Sequence, residues 1–149
     1  MSWLGGWKGY RVETVQRREG DRPEIWIFLG RKPGGSMLCD GCGKPVDSIH
    51  GVEVRSVRDL PVLGAATWLS VPRRRVACPR CGPRLERLEW LDRHARMTRR
   101  LADSVVRLCR VLSIKHTADF FGLHWSTVKD LDKRKRLLTA ALSDPAISL

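Results

Sequence analysis

Nowhere in the 149 residues does an apolar run approach the ~20 that a membrane-spanning helix requires. The N-terminus, "MSWLGGWKGYR", also lacks the charged, apolar and small-residue succession of a secretory signal. A cytoplasmic protein without membrane contact is the expectation. Acidic residues are scarce: 16 Asp and Glu face 28 Lys and Arg, a formal net charge of +12. Such an excess draws the chain toward phosphate polymers or acidic surfaces. It is uneven. Residues 93–136 hold 12 basic and 4 acidic side chains, a net of +8, whereas residues 1–92 hold 16 and 11.

Cysteines are few as well, five in all, but four stand in two tight pairs, Cys39-Asp-Gly-Cys42-Gly and Cys78-Pro-Arg-Cys81-Gly. In a reducing compartment these read as thiolate ligands rather than disulfides. Two intervening residues let both thiolates of a pair turn onto one metal, and the glycine after each second cysteine relieves the tight turn. Four sulfurs fill a tetrahedral Zn2+ shell and leave no position for water or substrate, so one structural ion is expected rather than a catalytic one. A thioredoxin-like redox pair or adventitious thiols are the alternatives.

The 35 residues between the pairs contain "VEVRSV" and "TWLSVPRRRVA", alternating β-branched runs expected as strands of a zinc ribbon. Upstream, "YRVETVQRR" and "EIWIFLGR" read as a hairpin joined by "EGDRP" beside the ribbon. Trp3 and Trp7 precede it and read as aromatic packing over a small core. Arg73, Arg74 and Arg75 form either a solvated charged face or a set of phosphate contacts held by the adjoining knuckle.

From Thr98 the period changes to that of a helix. Leu101, Val105, Leu108, Cys109 and Leu112 make one apolar stripe, which places Cys109 in a core rather than on a metal. Ser113 is an N-cap for a second helix that buries Ile114, Ala118 and Phe121 and stops at Gly122. A third helix from Trp125 has Val128, Leu131, Lys135 and Leu138 along its packed side, with Ser126, Lys129, Asp130 and Lys133 outward. Two short helices joined through a glycine turn form a helix-turn-helix, whose second helix enters the major groove N-terminus first. The expected fold is α+β: a β-hairpin and four-cysteine zinc ribbon over residues 1–91, then a three-helix helix-turn-helix domain over 92–140.

The motifs "CDGCG", "SIHG", "VRDLP", "VPRRRVACPRC", "ARMTRRLA" and "STVKDLDK" occur in an order that resembles transposases of the ISL-three family of bacterial insertion sequences. The resemblance spans roughly residues 39–135. It implies a zinc finger and a helix-turn-helix that recognise the terminal inverted repeats of the element, ahead of a catalytic DDE domain. The second knuckle is spaced C-x2-C where members often have a longer one, and His124 stands where similar segments carry a Ser or Thr cap. Metal-assisted strand transfer needs about three converging carboxylates. The first of them is expected beyond Leu149, so these residues are read as non-catalytic, with 141–149 as a linker toward the catalytic domain.

The expected partner is double-stranded DNA, bound by a nucleoid-associated bacterial protein that can form a homodimer. Expected contacts are Ser126, Thr127, Lys129, Asp130, Lys133, Arg134 and Arg136 on the third helix, with Arg73, Arg74, Arg75, Arg99, Arg100 and Lys115 on the backbone. Lys129 is the first choice for a base, with a plain phosphate contact as its alternative. A stand-alone zinc-ribbon and helix-turn-helix regulator shares these residues and differs in target, and an RNA-binding ribbon leaves the helices without a role.

Overall fold

The computed structural model describes residues 6–143, so Trp3 and most of the expected linker lie outside the described residues. Seven strands precede three helices. The strands are β1 (Tyr10–Arg18), β2 (Glu24–Arg31), β3 (Met37–Leu38), β4 (Pro45–Val46), β5 (Ile49–Val62), β6 (Ala65–Cys78) and β7 (Gly82–Leu85). The helices are α1 (Arg99–Leu108), α2 (Ile114–Phe121) and α3 (Trp125–Ser143). The class is α+β, as the sequence pattern implies.

The two strands expected between the cysteine pairs are longer than their alternating cores, 14 residues each. They pair antiparallel through a two-residue turn in which Leu63 and Gly64 both have positive φ, 50° and 76°. Two such residues give the turn the twist that long strands need. The upstream hairpin β1–β2 forms as expected and lies directly beside the ribbon strands. β2 runs parallel to β6 with Trp26 opposite Trp68, giving the sheet order β1-β2-β6-β5. One face of that sheet carries the core of Trp7, Tyr10, Ile27, Leu29, Val57, Leu69, Val71, Leu88, Trp90 and Leu91.

Trp7 packs as expected, and it also closes a polar contact. Its indole Nε1 donates to Asp59 at 2.8 Å, and the other Asp59 oxygen accepts from Thr98 Oγ1 at 2.7 Å. Buried Asp59 is thereby satisfied while it ties the segments before β1 and before α1 to β5. Met97 bridges Arg58 as well, so residues 92–99 belong with the sheet. The chain divides into two compact units at Arg99/Arg100.

In the helical unit, Leu101, Val105, Thr117, Ala118, Phe121 and Val128 are buried. The stripe expected to reach Leu112 ends earlier. α1 stops at Leu108, Leu112 is exposed, and Cys109 is half-buried beside Val106, Asp132 and Arg136 rather than inside a core. Desolvation pushes its thiol pKa up. On α3, Leu131 is half-buried, but Lys135 and Leu138, expected on the packed side, are exposed. α2 is only eight residues long, so it covers one or two turns of the 19-residue α3.

Candidate metal centre and nucleic-acid interface

The first knuckle is a small hairpin in which β3 and β4 pair Met37 with Val46. Its loop folds on itself, Cys39 N–H to Lys44 O at 3.0 Å and Gly43 N–H to Cys39 O at 2.8 Å. The second knuckle is the turn from β6 to β7, where Cys78 pairs with Gly82. The glycine after each second cysteine is left-handed, Gly43 at φ 72° and Gly82 at φ 76°, as that turn demands. Arg87 N–H donates to Leu38 O at 2.7 Å and Asp40 N–H to Leu85 O at 3.1 Å, which clamps the first knuckle against β7.

The clamp brings the Sγ atoms of Cys39, Cys42, Cys78 and Cys81 within 4.8 Å of one another, with Cys42 and Cys78 at 3.7 Å. A tetrahedral Zn–S shell at ~2.3 Å sets sulfurs about 3.8 Å apart, so the cluster has the size of that shell. Gly41 N–H donates to Cys39 Sγ at 3.3 Å, and a Cβ at Gly41 would meet Cys81 Sγ at 3.1 Å. Only glycine lets the loop close over the sulfurs without a shift.

The electrostatics fit a cation too. Backbone N–H groups of Cys81 and Arg80 hold the Cys78 thiol down at about 6, favouring thiolate, whereas desolvation and the neighbouring Cys42 and Cys39 push Cys81 up to about 12. Four thiolates in one small volume repel, and a divalent ion removes that conflict. Met37, Val46 and Val76 form the apolar shell of the site. Cys109 is not part of the cluster.

Glu86, which composition and spacing did not single out, organises the base of this module. It is 1 % exposed and sits on a bridge to Cys39. Its carboxylate accepts from Arg31 Nη2 at 2.9 Å, from Arg74 Nη2 at 3.0 Å and from Arg74 N–H at 3.0 Å. Arg73 Nη2 donates to its backbone carbonyl, and Tyr10 OH donates to Pro72 O at 2.8 Å beside it. Burial, with Glu86 next to it, pushes the Tyr10 phenol up to about 12, so it remains a donor at neutral pH.

The phosphate-contact expectation is therefore corrected for two arginines. Arg73 is 1 % exposed, and the Arg74 side chain is largely buried against Glu86. Strand alternation turns every second residue inward. Arg75 is exposed, as are Arg99 and Arg100, with Arg99 ion-paired to Asp92 at 2.6 Å.

The helix-turn-helix is built from local signals. Ser113 Oγ accepts from His116 N–H at 3.1 Å and caps α2. Gly122 closes it at φ 64°, with Leu123 N–H reaching Ala118 O at 3.0 Å. His124 performs the capping expected of a Ser or Thr at the start of α3: its Nδ1 accepts from Ser126 N–H at 3.3 Å and lies 2.7 Å from Ser126 Oγ. Gly122→Ala is expected to cost about 1–2 kcal/mol, the penalty for a Cβ in left-handed backbone. Thermal unfolding of the zinc-loaded chain measures it, and an unchanged midpoint would contradict the cap.

Lys115, Lys129, Asp130, Lys133, Arg134 and Arg136 are exposed, and Ser126 and Thr127 are half-buried. The Lys129 ammonium lies 5.7 Å from the Trp125 ring centroid, and Arg136 pairs with Asp132 at 3.0 Å. Buried Val128 sets the rotation that turns Lys129 and Asp130 outward.

A four-cysteine ribbon followed by a helix-turn-helix defines a zinc-finger, helix-turn-helix protein. Residues 36–81 match the family described as zinc-finger of transposase IS204/IS1001/IS1096/IS1165, and residues 86–134 match the helix-turn-helix domain of transposase family ISL3. The chain belongs to the ISL3 family of transposases. It is 45% identical over 147 residues to the transposase for insertion sequence element IS1001 of Bordetella parapertussis, an alignment covering 97% of this chain and 35% of that relative. The chain thus spans about a third of the length of the curated relative it matches. No solved structure matches it. Among the described residues, no helix is long and apolar enough to cross a membrane.

Proposed function

We propose that this chain is the DNA-recognising portion of an insertion-sequence transposase, holding one structural Zn2+ through Cys39, Cys42, Cys78 and Cys81 and binding the terminal inverted repeats of its element. Strand transfer is assigned to carboxylates outside these residues. The observation that carries the reading is the two-helix unit α2–α3, in which Val128 is buried while Lys129, Asp130 and Lys133 are presented to solvent at the leading turns of α3. A helix in this arrangement places its N-terminal side chains against base edges. His124 and Ser126 lock the first turn, so the side chains that follow enter a groove with little ordering left to do.

Lys129 is assigned a base contact, its ammonium reaching guanine O6 or N7, and Lys133, Arg134, Arg136 and Lys115 are assigned phosphates. Arg75, Arg99 and Arg100 are further backbone candidates. Lys129→Ala should cost ~1–3 kcal/mol on the preferred site and relax selectivity at one base pair. A panel of single-base substitutions of the inverted repeat measures this. Equal weakening on every duplex would reduce Lys129 to a phosphate contact, and unchanged affinity would remove α3 from the interface.

A further inference from the structure

Aromatic residues are few, ten of the 149, yet three of them lie on the side of the sheet opposite the core. Paired residues of neighbouring strands point to the same side. The register sets Gln16 opposite Trp26, Trp26 opposite Trp68, and Trp68 opposite Arg58, with Thr14, Phe28, Ser70 and Ser56 forming the adjacent row. The intervening Ile27, Leu69 and Val57 point into the core. A strand of a sheet with one buried face normally carries polar residues on the other. This sheet carries rings there instead.

The Trp26 and Trp68 rings are parallel within 10°, with centroids 5.4 Å apart, and Phe28 lies 6.4 Å from Trp26. Rings in contact are ~3.5–4 Å apart face to face, so a 5.4 Å separation means that they are slipped and each leaves part of its face uncovered. The Arg18 guanidinium sits 4.6 Å from the Trp26 centroid and that of Arg58 sits 5.1 Å from the Trp68 centroid. A row Arg–Trp–Trp–Arg therefore crosses β1, β2, β6 and β5. Beside the row, Glu24 accepts from Trp26 Nε1 at 2.9 Å. All three rings remain partly exposed, and Arg18 is exposed.

We propose that this open face is a second nucleic-acid site, distinct from the helix-turn-helix, and that its ligand is single-stranded DNA. The ring surface left uncovered by the slip, the exposed Arg18 guanidinium plane over Trp26, and Ser and Thr hydroxyls around the row supply what an unpaired strand needs: stacking planes, a phosphate partner and hydrogen bonds to sugar edges. Stacking is tolerant of sequence because every base has a π-face. Arg18, already ordered on Trp26, keeps planar donors for a phosphate at low entropic cost. Duplex DNA cannot use the rings, because its bases are stacked on one another. The proposal rests on the DNA-binding reading above but uses different residues.

The test uses the full zinc-loaded chain and two fluorescent probes, a short oligothymidylate and a duplex of equal length that carries the terminal inverted repeat. Trp26→Leu/Trp68→Leu is expected to weaken oligothymidylate binding roughly tenfold or more and to change duplex binding by less than about twofold. Lys129→Ala should do the reverse, so failure of either reading is visible alone. Should the double variant lose its fold, Arg18→Ala decides: loss of single-strand affinity, with a salt slope shallower by about one, supports the site. No binding of oligothymidylate by the unaltered chain, no effect of the ring variant, or equal loss on both probes would overturn it.

Discussion

Chelation of the metal, or Cys42→Ser, is expected to unfold the sheet unit while much of the helical signal at 222 nm persists. Structural zinc supplies on the order of 10 kcal/mol or more, comparable to the whole net stability of a domain. The core around Trp7, Leu69 and Leu91 does not reach the knuckles, where a separate cluster of Met37, Cys39, Val46, Val76 and Cys78 depends on the sulfurs themselves. The helical unit contains none of the four ligands. Ligation needs thiolates, so the same transition should follow from lowering the pH, at a midpoint that rises as free zinc is reduced. Elemental analysis should find one zinc per chain. A metal-free chain, or a Cys42→Ser variant with an unchanged near-UV spectrum, would refute the assignment.

Glu86→Ala should be the most damaging single change outside the cysteines. Its carboxylate accepts from Arg31 and Arg74, while Arg73 bonds its backbone carbonyl. Removing the anion leaves buried guanidinium groups without their counter-charge, and breaking a buried pair in this way costs ~3–5 kcal/mol. In a unit ending at Arg99 that lowers the melting midpoint by about 12–40 °C. Glu86→Leu gives no relief, since the hydrophobic replacement that rescues other buried pairs requires the cations to go as well. A loss under about 1 kcal/mol in urea titrations of the zinc-loaded variant would show that Arg31 and Arg74 reach water instead.

The features legible in the sequence are those set by neighbours a few residues apart. The CxxCG turns, the Ser113 cap, the Gly122 stop and the apolar spacing of α2 all depend on backbone groups within one turn, so residue type and spacing suffice. Where a signal is read one residue type at a time, it misleads. Arg73 to Arg75 look like one basic patch, but alternation along β6 buries Arg73, and Glu86 draws in Arg74. His124 looks like a poorer cap than Ser, although an imidazole Nδ1 can accept the same N–H. Lys135 and Leu138 keep the helical period of Val128 and Leu131, but the short α2 leaves that part of α3 uncovered.

From the sequence alone come the two CxxCG knuckles, the α+β class, the helix-turn-helix and its outward residues, because each rests on local spacing. Tertiary structure alone decided the parallel pairing of β2 with β6, the convergence of Arg31, Arg73 and Arg74 on Glu86, and the ring row of Trp26 and Trp68 between Arg18 and Arg58. Alternation in a strand announces two faces but not which strand lies alongside. Residues some forty positions apart, such as Trp26 and Trp68, become neighbours only once hydrogen-bond register and core packing have chosen that partner.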